Sequence, residues 1–235
     1  MQNFYAPPER FSGDTIILDG DEYRHAARVC RVRTGELIGV TNGRGRRVEA
    51  RVGTIGRDTI EAVVERDVSG SGEPAADITL ALALIKPSRF EEAVEYCTEL
   101  GVRRIVPVHA DRCERESFRL RDDRLSRIAL EAAKQSARSW VPEMADTATV
   151  DEVCAQPGLV IAAIPGSRAS VREAVSPVGG MHDVTIIIGP EGDFSPEETA
   201  LMTGTGVIPV SLGGLILRAE TAAAVAVALV CDALR

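Results

Sequence analysis

Lysine is almost missing from this chain: Lys86 and Lys134 stand against 25 arginines. Long apolar runs are missing too, since no stretch approaches the roughly 18 consecutive apolar residues of a membrane-spanning helix. The five cysteines (Cys30, Cys97, Cys113, Cys154, Cys231) are scattered and odd in number with no C-x-x-C. That pattern excludes a disulfide framework and a zinc site of ordinary spacing, and predicts reduced, mostly buried thiols and no metal. No G-x-x-x-x-G-K-[ST] is present, which argues against a nucleoside triphosphate. Gly70-Ser71-Gly72 and Gly43-Arg44-Gly45 lack the further glycine and the strand-to-helix setting of a dinucleotide fingerprint. His25, His109 and His182 form no triad signature with a serine or cysteine, and each reads as structural. No internal repeat is visible. The opening Met1 to Pro8 has no basic region followed by an apolar core, so the expected location is cytoplasmic.

What is present suffices for a substantial core: 235 residues, 45% of them hydrophobic. The net charge of −8 argues against a protein that coats nucleic acid generally, but the charge is unevenly spread. Between Arg24 and Arg57 nine arginines face only Glu36 and Glu49, a local charge of +7. Such a cluster is the footprint of phosphate-backbone binding, or else a solvated arginine-rich face; charge alone leaves both open.

Residues 1 to about 68 predict a small β-rich unit closing into a barrel. Its strands are Thr15 to Leu18, Glu36 to Thr41, Arg46 to Val52 and Thr59 to Val64, punctuated by Gly20-Asp21, Asn42-Gly43 and Gly53. The middle pair reads as a hairpin with arginines at its tip and along one strand. Asp67 to Asp77, rich in Gly, Ser and Pro, is the expected linker, giving domains 1–70 and 75–235.

Beyond the linker, strands Ile78 to Ile85, Val102 to Val108, Leu159 to Ile164, Val184 to Ile188 and Val207 to Leu212 alternate with helices. That order implies an α/β fold with a parallel sheet. Helix Ser88 to Leu100 is expected to start with a Ser88/Glu91 capping box and to end at Gly101. Asp122 or Asp123 is expected to cap a helix reaching about Arg138. The last helix, Thr221 to Leu234, is apolar nearly all round, so it requires cover from its own domain or, preferably, from a symmetric partner subunit.

Three strand ends carry the likeliest chemistry by pattern. The run Ile186-Ile187-Ile188 leads into Gly189-Pro190-Glu191-Gly192, where the two glycines are expected to supply dihedrals closed to other residues. Ser195, Pro196 and Glu198 then predict a capped helix. Buried strand, glycine turn and capped helix together aim backbone N–H groups into the crevice at the carboxyl end of a sheet. Ile164 to Ser167, Gly189 to Phe194 and Leu212 to Thr221 would build that crevice, with Arg218 as its one basic side chain. A ligand of little net charge, held mainly by backbone groups, fits it.

Ile188-Gly189-Pro190-Glu191-Gly192 with Phe194-Ser195-Pro196-Glu197-Glu198, then Ser211-Leu212-Gly213 and Ile216-Leu217-Arg218-x-Glu220-Thr221-Ala222, resemble the RsmE family of ribosomal RNA methyltransferases, in the SPOUT superfamily. Thr98-Glu99-Leu100-Gly101-Val102, Arg112-Cys113 and Ala132-x-x-Gln135-Ser136-x-Arg138 agree, and His25 with Arg31-Val32 and Gly35 resembles the family's PUA-like RNA-binding domain. The likeness spans nearly the whole chain. The sequence departs from it at Asp193, where glycine is usual, at Gly214-Leu215, where proline or asparagine and then arginine are common, and at Ala219.

The resemblance implies a trefoil-knotted C-terminal domain, a homodimer formed through it, and S-adenosylmethionine as cofactor. The cofactor would lie against Ile164, Pro165, Gly189, Pro190, Glu191, Gly192, Leu212, Gly213, Leu217 and Thr221. It implies methylation at N3 of one uridine of 16S rRNA in the small ribosomal subunit, with RNA held by His25, Arg28, Arg31, Arg33, Arg44, Arg46, Arg47, Lys86, Arg89 and Arg138. Arg218 would stabilise charge on a uracil oxygen, and Glu220 would orient Arg218 or accept the N3 proton; a structural ion pair is the plain alternative for both. Two rival functions are a ribose 2′-O-methyltransferase of the same superfamily and a non-catalytic RNA-binding assembly factor.

Overall fold

The computed structural model describes residues 1–113, 121–175 and 183–235; His182, read above as structural, lies outside them. The chain divides into two compact units, residues 1–73 with 130–141, and residues 74–129 with 142–235.

The first unit is built on a sheet of six strands: β1 (Asn3–Tyr5), β2 (Phe11–Ser12), β3 (Thr15–Leu18), β4 (Leu37–Thr41), β5 (Arg47–Ile55) and β6 (Ile60–Asp67). Their order is β1-β4-β5-β6-β3-β2, so the expected barrel is only half closed, with β1 and β2 as its edges. Alternation decides what faces inward: along β5, Val48, Ala50 and Val52 are buried while Arg47, Glu49 and Arg51 point outward. Phe4, Ile16, Leu18, Ile38 and Ile60 complete a core without measurable exposure beyond 1%.

The expected hairpin is formed by β4 and β5, with Thr41 opposite Arg47. Its turn is closed by Asn42, whose side-chain oxygen accepts from the N–H groups of Arg44 (2.8 Å) and Arg46 (3.0 Å). Helix α1 (Gly20–Arg24) runs into a single π-helical turn, His25–Cys30, that ends at Arg31 in the left-handed region, φ 53°. Segment 139–141 clasps the hairpin tip: the Gly45 N–H donates to the Ser139 carbonyl at 2.9 Å and the Val141 N–H to that of Gly43 at 3.0 Å.

The second unit carries a wholly parallel sheet of β7 (Ile78–Ala83), β8 (Arg104–His109), β9 (Glu143–Met144), β10 (Ala148–Thr149), β11 (Leu159–Ala163), β12 (Ala169–Ser170), β13 (Val184–Ile188) and β14 (Ile208–Ser211). The main path runs β10-β8-β7-β13-β11-β14-β12, with β9 beside β8. Every residue of β13 is buried, which is why its sequence is a continuous apolar run without alternation. At about 1.5–3 kcal/mol for each fully buried isoleucine, Ile186, Ile187 and Ile188 make this strand a principal anchor.

Helices α2 (Pro87–Leu100), α3 (Asp122–Gln135), α4 (Val150–Cys154), α5 (Val171–Val175), α6 (Pro196–Gly204) and α7 (Ala219–Ala233) connect these strands. The Ser88/Glu91 capping box does not form. Lys86 occupies the N-cap and Pro87 the first helical position, so Ser88 already lies inside the helix, and Glu91 pairs instead with Arg124 at 2.7 Å. Gly101 ends α2 in the left-handed region as expected, φ 110°. Helix α3 stops at Gln135, short of Arg138, with Ala137 at φ 58°.

Helix α7 buries Ala223, Ala226, Val227 and Val230 and packs on α2 and α5. Its other side keeps Leu229 exposed and Ala224, Val225 and Ala228 half-buried. Its own unit therefore covers one face and leaves the other open.

Candidate active site

In the parallel sheet β13, β11 and β14 are successive neighbours, with β11 in the middle. The two glycine loops thus follow strands that flank β11, not strands that touch. Parallel strands leave all their carboxyl ends at one rim, and three reversals from adjacent strands converge there. They enclose a hollow of about 680 Å³. Ile164 and Pro165 line it from β11, Gly189 to Asp193 from β13, and Leu212 to Arg218 from β14.

Nine of the ten residues expected around a cofactor line this hollow; Thr221, one turn into α7, is exposed and is not among them. Glu220 is also not among the lining residues: it is 5% exposed, and its Oε2 has no hydrogen-bond partner among the described residues. A carboxylate buried in the first turn of a helix meets the favourable end of the helix dipole.

The crevice has two cations where one was expected. Arg89, assigned from the sequence to RNA, lines the hollow with Arg218, and its Nη1 stands 3.7 Å from Glu191 Oε1. The cause is strand order: Arg89 begins α2 just after β7, and β7 pairs with β13. The carboxylates in the lining are Glu191 and Asp193. Asp193 Oδ1 is engaged by the Phe194 N–H at 2.9 Å.

Neither Gly189 nor Gly192 adopts the positive φ expected of it; the left-handed residue of the loop is Asp193, φ 61°. That explains why glycine suits position 193, and aspartate is among the side chains that tolerate this conformation best. Gly189 and Gly192 are small for another reason, close approach. A Cβ at 189 would meet the Phe194 ring at 3.0 Å, and one at 192 would meet Arg112 Cβ at 3.2 Å. The Ser195/Glu198 capping box forms as expected, with Ser195 Oγ 3.1 Å from Glu198 N and Glu198 Oε2 2.8 Å from Ser195 N.

Apart from Ser211, the remaining lining is apolar, from Ile188, Val210, Leu212 and Leu217, with bare backbone at Gly166, Gly213 and Gly214, where an added Cβ would meet nothing within 4 Å. Leu215 and Ile216 are 84% and 93% exposed on the lip.

The arginine-rich surface of the first unit divides into two classes. Arg51 pairs with Glu65, Arg66 with Glu49, and Arg46 lies 3.9 Å from Asp67 and over the Phe11 ring; Arg47 donates to the Asn3 side chain at 3.4 Å. Arg28, Arg31, Arg33 and Arg44 are exposed and form no ion pair among the described residues. Two residues expected at RNA have protein partners of their own. Arg138 is buried against Glu73 at 2.7 Å, a pair that fixes the segment around it. The His25 ring packs edge-on against buried Phe4, centroids 5.8 Å apart. Lys86 is exposed at the start of α2. The thiols of Cys30, Cys97, Cys113 and Cys154 are all pushed up by burial, in keeping with inert protonated cysteines.

A family model described as an RNA methyltransferase domain matches residues 72–231, and one described as an RNA methyltransferase PUA domain matches residues 18–65. The ribosomal RNA small subunit methyltransferase E of Synechocystis sp. is 32% identical over 230 residues, covering 94% of this chain and 74% of the relative. The protein of the same name from Mycobacterium bovis is 32% identical over 236 residues, covering 95% and 88%. The structure of ribosomal RNA small subunit methyltransferase E from Neisseria gonorrhoeae bound to S-adenosyl methionine superposes with a TM-score of 0.83 at 29% identity, over 97% of this chain and 95% of that one.

Proposed function

Because the chain belongs to the ribosomal RNA small subunit methyltransferase E family, we propose that it is an S-adenosylmethionine-dependent rRNA methyltransferase acting at N3 of one uridine of 16S rRNA in the small ribosomal subunit. The observation that carries this reading is the convergence of three reversals, after β11, β13 and β14, on one hollow of about 680 Å³, within the range of small-molecule sites. The methyl donor suits that hollow: apolar side chains for a flat base, bare backbone at Gly166, Gly213 and Gly214 for close approach, and no phosphate-binding loop. S-adenosylmethionine supplies an electrophilic methyl group.

Uracil N3 carries a proton and normally lies within a base pair, so the base must be exposed and the proton removed. Glu191, which stands beside Arg89 in the lining, accepts it in this reading; Asp193 already takes the Phe194 N–H on Oδ1, and Glu220 is not among the lining residues. Arg218 and Arg89 hold the negative charge that develops on the uracil carbonyl oxygens. Arg28, Arg31, Arg33 and Arg44 steer the phosphate backbone to the first unit. We also propose the trefoil-knotted path, action in the cytoplasm, and a homodimer, for which the open side of α7 is the support.

The test is incubation with labelled S-adenosylmethionine and small subunits from a strain lacking this enzyme, followed by reverse transcription. A stop at one uridine is expected, because N3 methylation blocks pairing. Label transfer without a stop would favour ribose methylation, and no transfer would favour an assembly factor.

A further inference from the structure

Asp111 and Arg112 follow β8 and take no part in the chemistry above, yet they grip the loop after β13 across the intervening strand β7. Arg112 Nη1 donates to the Gly192 carbonyl at 3.0 Å. Asp111 closes a ring with the first turn of α6: its N–H donates to Glu198 Oε1 (2.9 Å), Glu198 Oε2 accepts from the Ser195 N–H (2.8 Å), and the Ser195 hydroxyl donates to Asp111 Oδ2 (2.7 Å). Ser195 and Glu198 are buried, so the α6 side of this ring is shielded from water while Asp111 closes it from the surface.

The loop needs such a hold. Asp193 sits at φ 61°, a conformation that aspartate tolerates better than most side chains but that still costs more than it would for glycine, and that surrounding contacts help to fix. The chain on either side of Asp193 is fastened from outside, at Gly192 by Arg112 and at Ser195 by Asp111. Gly192 lacks a side chain because Arg112 presses against it there.

We propose that Asp111 and Arg112 are positioning residues for the methyl-donor loop, holding Gly189 to Asp193 in the shape that lines the hollow before any ligand arrives. This rests on the methyltransferase reading, and the experiment separates the two. Amide hydrogen exchange of the donor-free protein and calorimetric titration with S-adenosylmethionine are compared for wild type, Arg112→Ala, Arg112→Lys, Asp111→Ala and Asp111→Asn. Arg112→Ala should speed exchange at residues 191–195 and weaken donor binding, each about tenfold, the scale of one lost charge-assisted hydrogen bond. Exchange in β13 and the KM for RNA should stay unchanged. Arg112→Lys and Asp111→Asn, which keep a donor and an acceptor in place, should recover part of the loss. Alanine variants with wild-type loop exchange and wild-type affinity would overturn the assignment. A wild-type protein that binds no donor would overturn the methyltransferase reading instead, and the exchange rates would still decide the hold on the loop.

Discussion

Gly189 lies so close to the ring of Phe194 that a methyl group on its α-carbon would stand 3.0 Å from the nearest ring carbon. Phe194 is buried in the core with Ile187 and Met202 and has little room to retreat. Gly189→Ala should therefore cost about 1–3 kcal/mol of stability, as overpacking does. It should also displace the loop and lower S-adenosylmethionine affinity; denaturant unfolding and calorimetry measure the two effects separately.

Arg218 is exposed on the hollow and makes no ion pair among the described residues. Arg218→Ala should leave donor affinity within about twofold and lower turnover on the order of a hundredfold, the usual scale for one electrostatic donor. Single-turnover kinetics checks this, and unchanged turnover removes the residue from the chemistry.

Glu191 and Glu220 differ in a way that decides between them as proton acceptor. The first lines the hollow beside Arg89; the second is buried outside it. Glu191→Gln should lower turnover by at least about a hundredfold, as loss of a general base does. Glu220→Gln, which removes a buried carboxylate with an unpartnered oxygen, should change turnover little. Methyl-transfer rates of the two variants that came out reversed would restore Glu220 as the acceptor.

Arg28 and Arg33 are exposed, without ion pairs, beside a half-barrel whose other arginines are largely neutralised by Glu49, Glu65 and Asp67. Arg28→Gln with Arg33→Gln should weaken RNA binding uniformly across sequences and reduce the slope of log affinity against log salt by about two, roughly one per phosphate contact. Titrations at several salt concentrations give that slope.

Lys134 is 4% exposed, with its Nζ 2.7 Å from Glu22 and 2.8 Å from Glu131. Burial works to lower its pKa, but the hydrogen bonds it donates to Glu131 and Glu22 outweigh that and raise it above the ordinary 10.5. A raised lysine contributes stability that is fully present below the unfolded value and is lost as pH climbs through the folded one. Lys134→Met should thus cost about 2 kcal/mol at neutral pH, less than a fully buried pair because Glu131 is exposed. The difference from wild type should shrink as pH climbs through the raised value of the folded protein, as unfolding curves at neutral and strongly alkaline pH would show.

Periodicity and turn chemistry are local, and local features were legible in the order of residues. The apolar run Val184 to Ile188 marked β13 to the residue, Ser195 with Glu198 marked the start of α6, and the two glycine motifs marked two of the reversals that line the hollow. The grouping of nine arginines between 24 and 57 was equally plain. Strand order was not, because it depends on pairings between distant segments. Only the fold put β11 between β13 and β14, brought Arg89 round from the end of β7 to Glu191, and buried Glu220 at the start of α7. Only the fold, likewise, withdrew Arg138 from the surface to Glu73 and loaded the left-handed strain on Asp193 while the glycines beside it serve close approach. A sequence states which chemical groups a chain owns; which of them meet is settled by long-range packing, where a side chain's partner can lie 80 residues away.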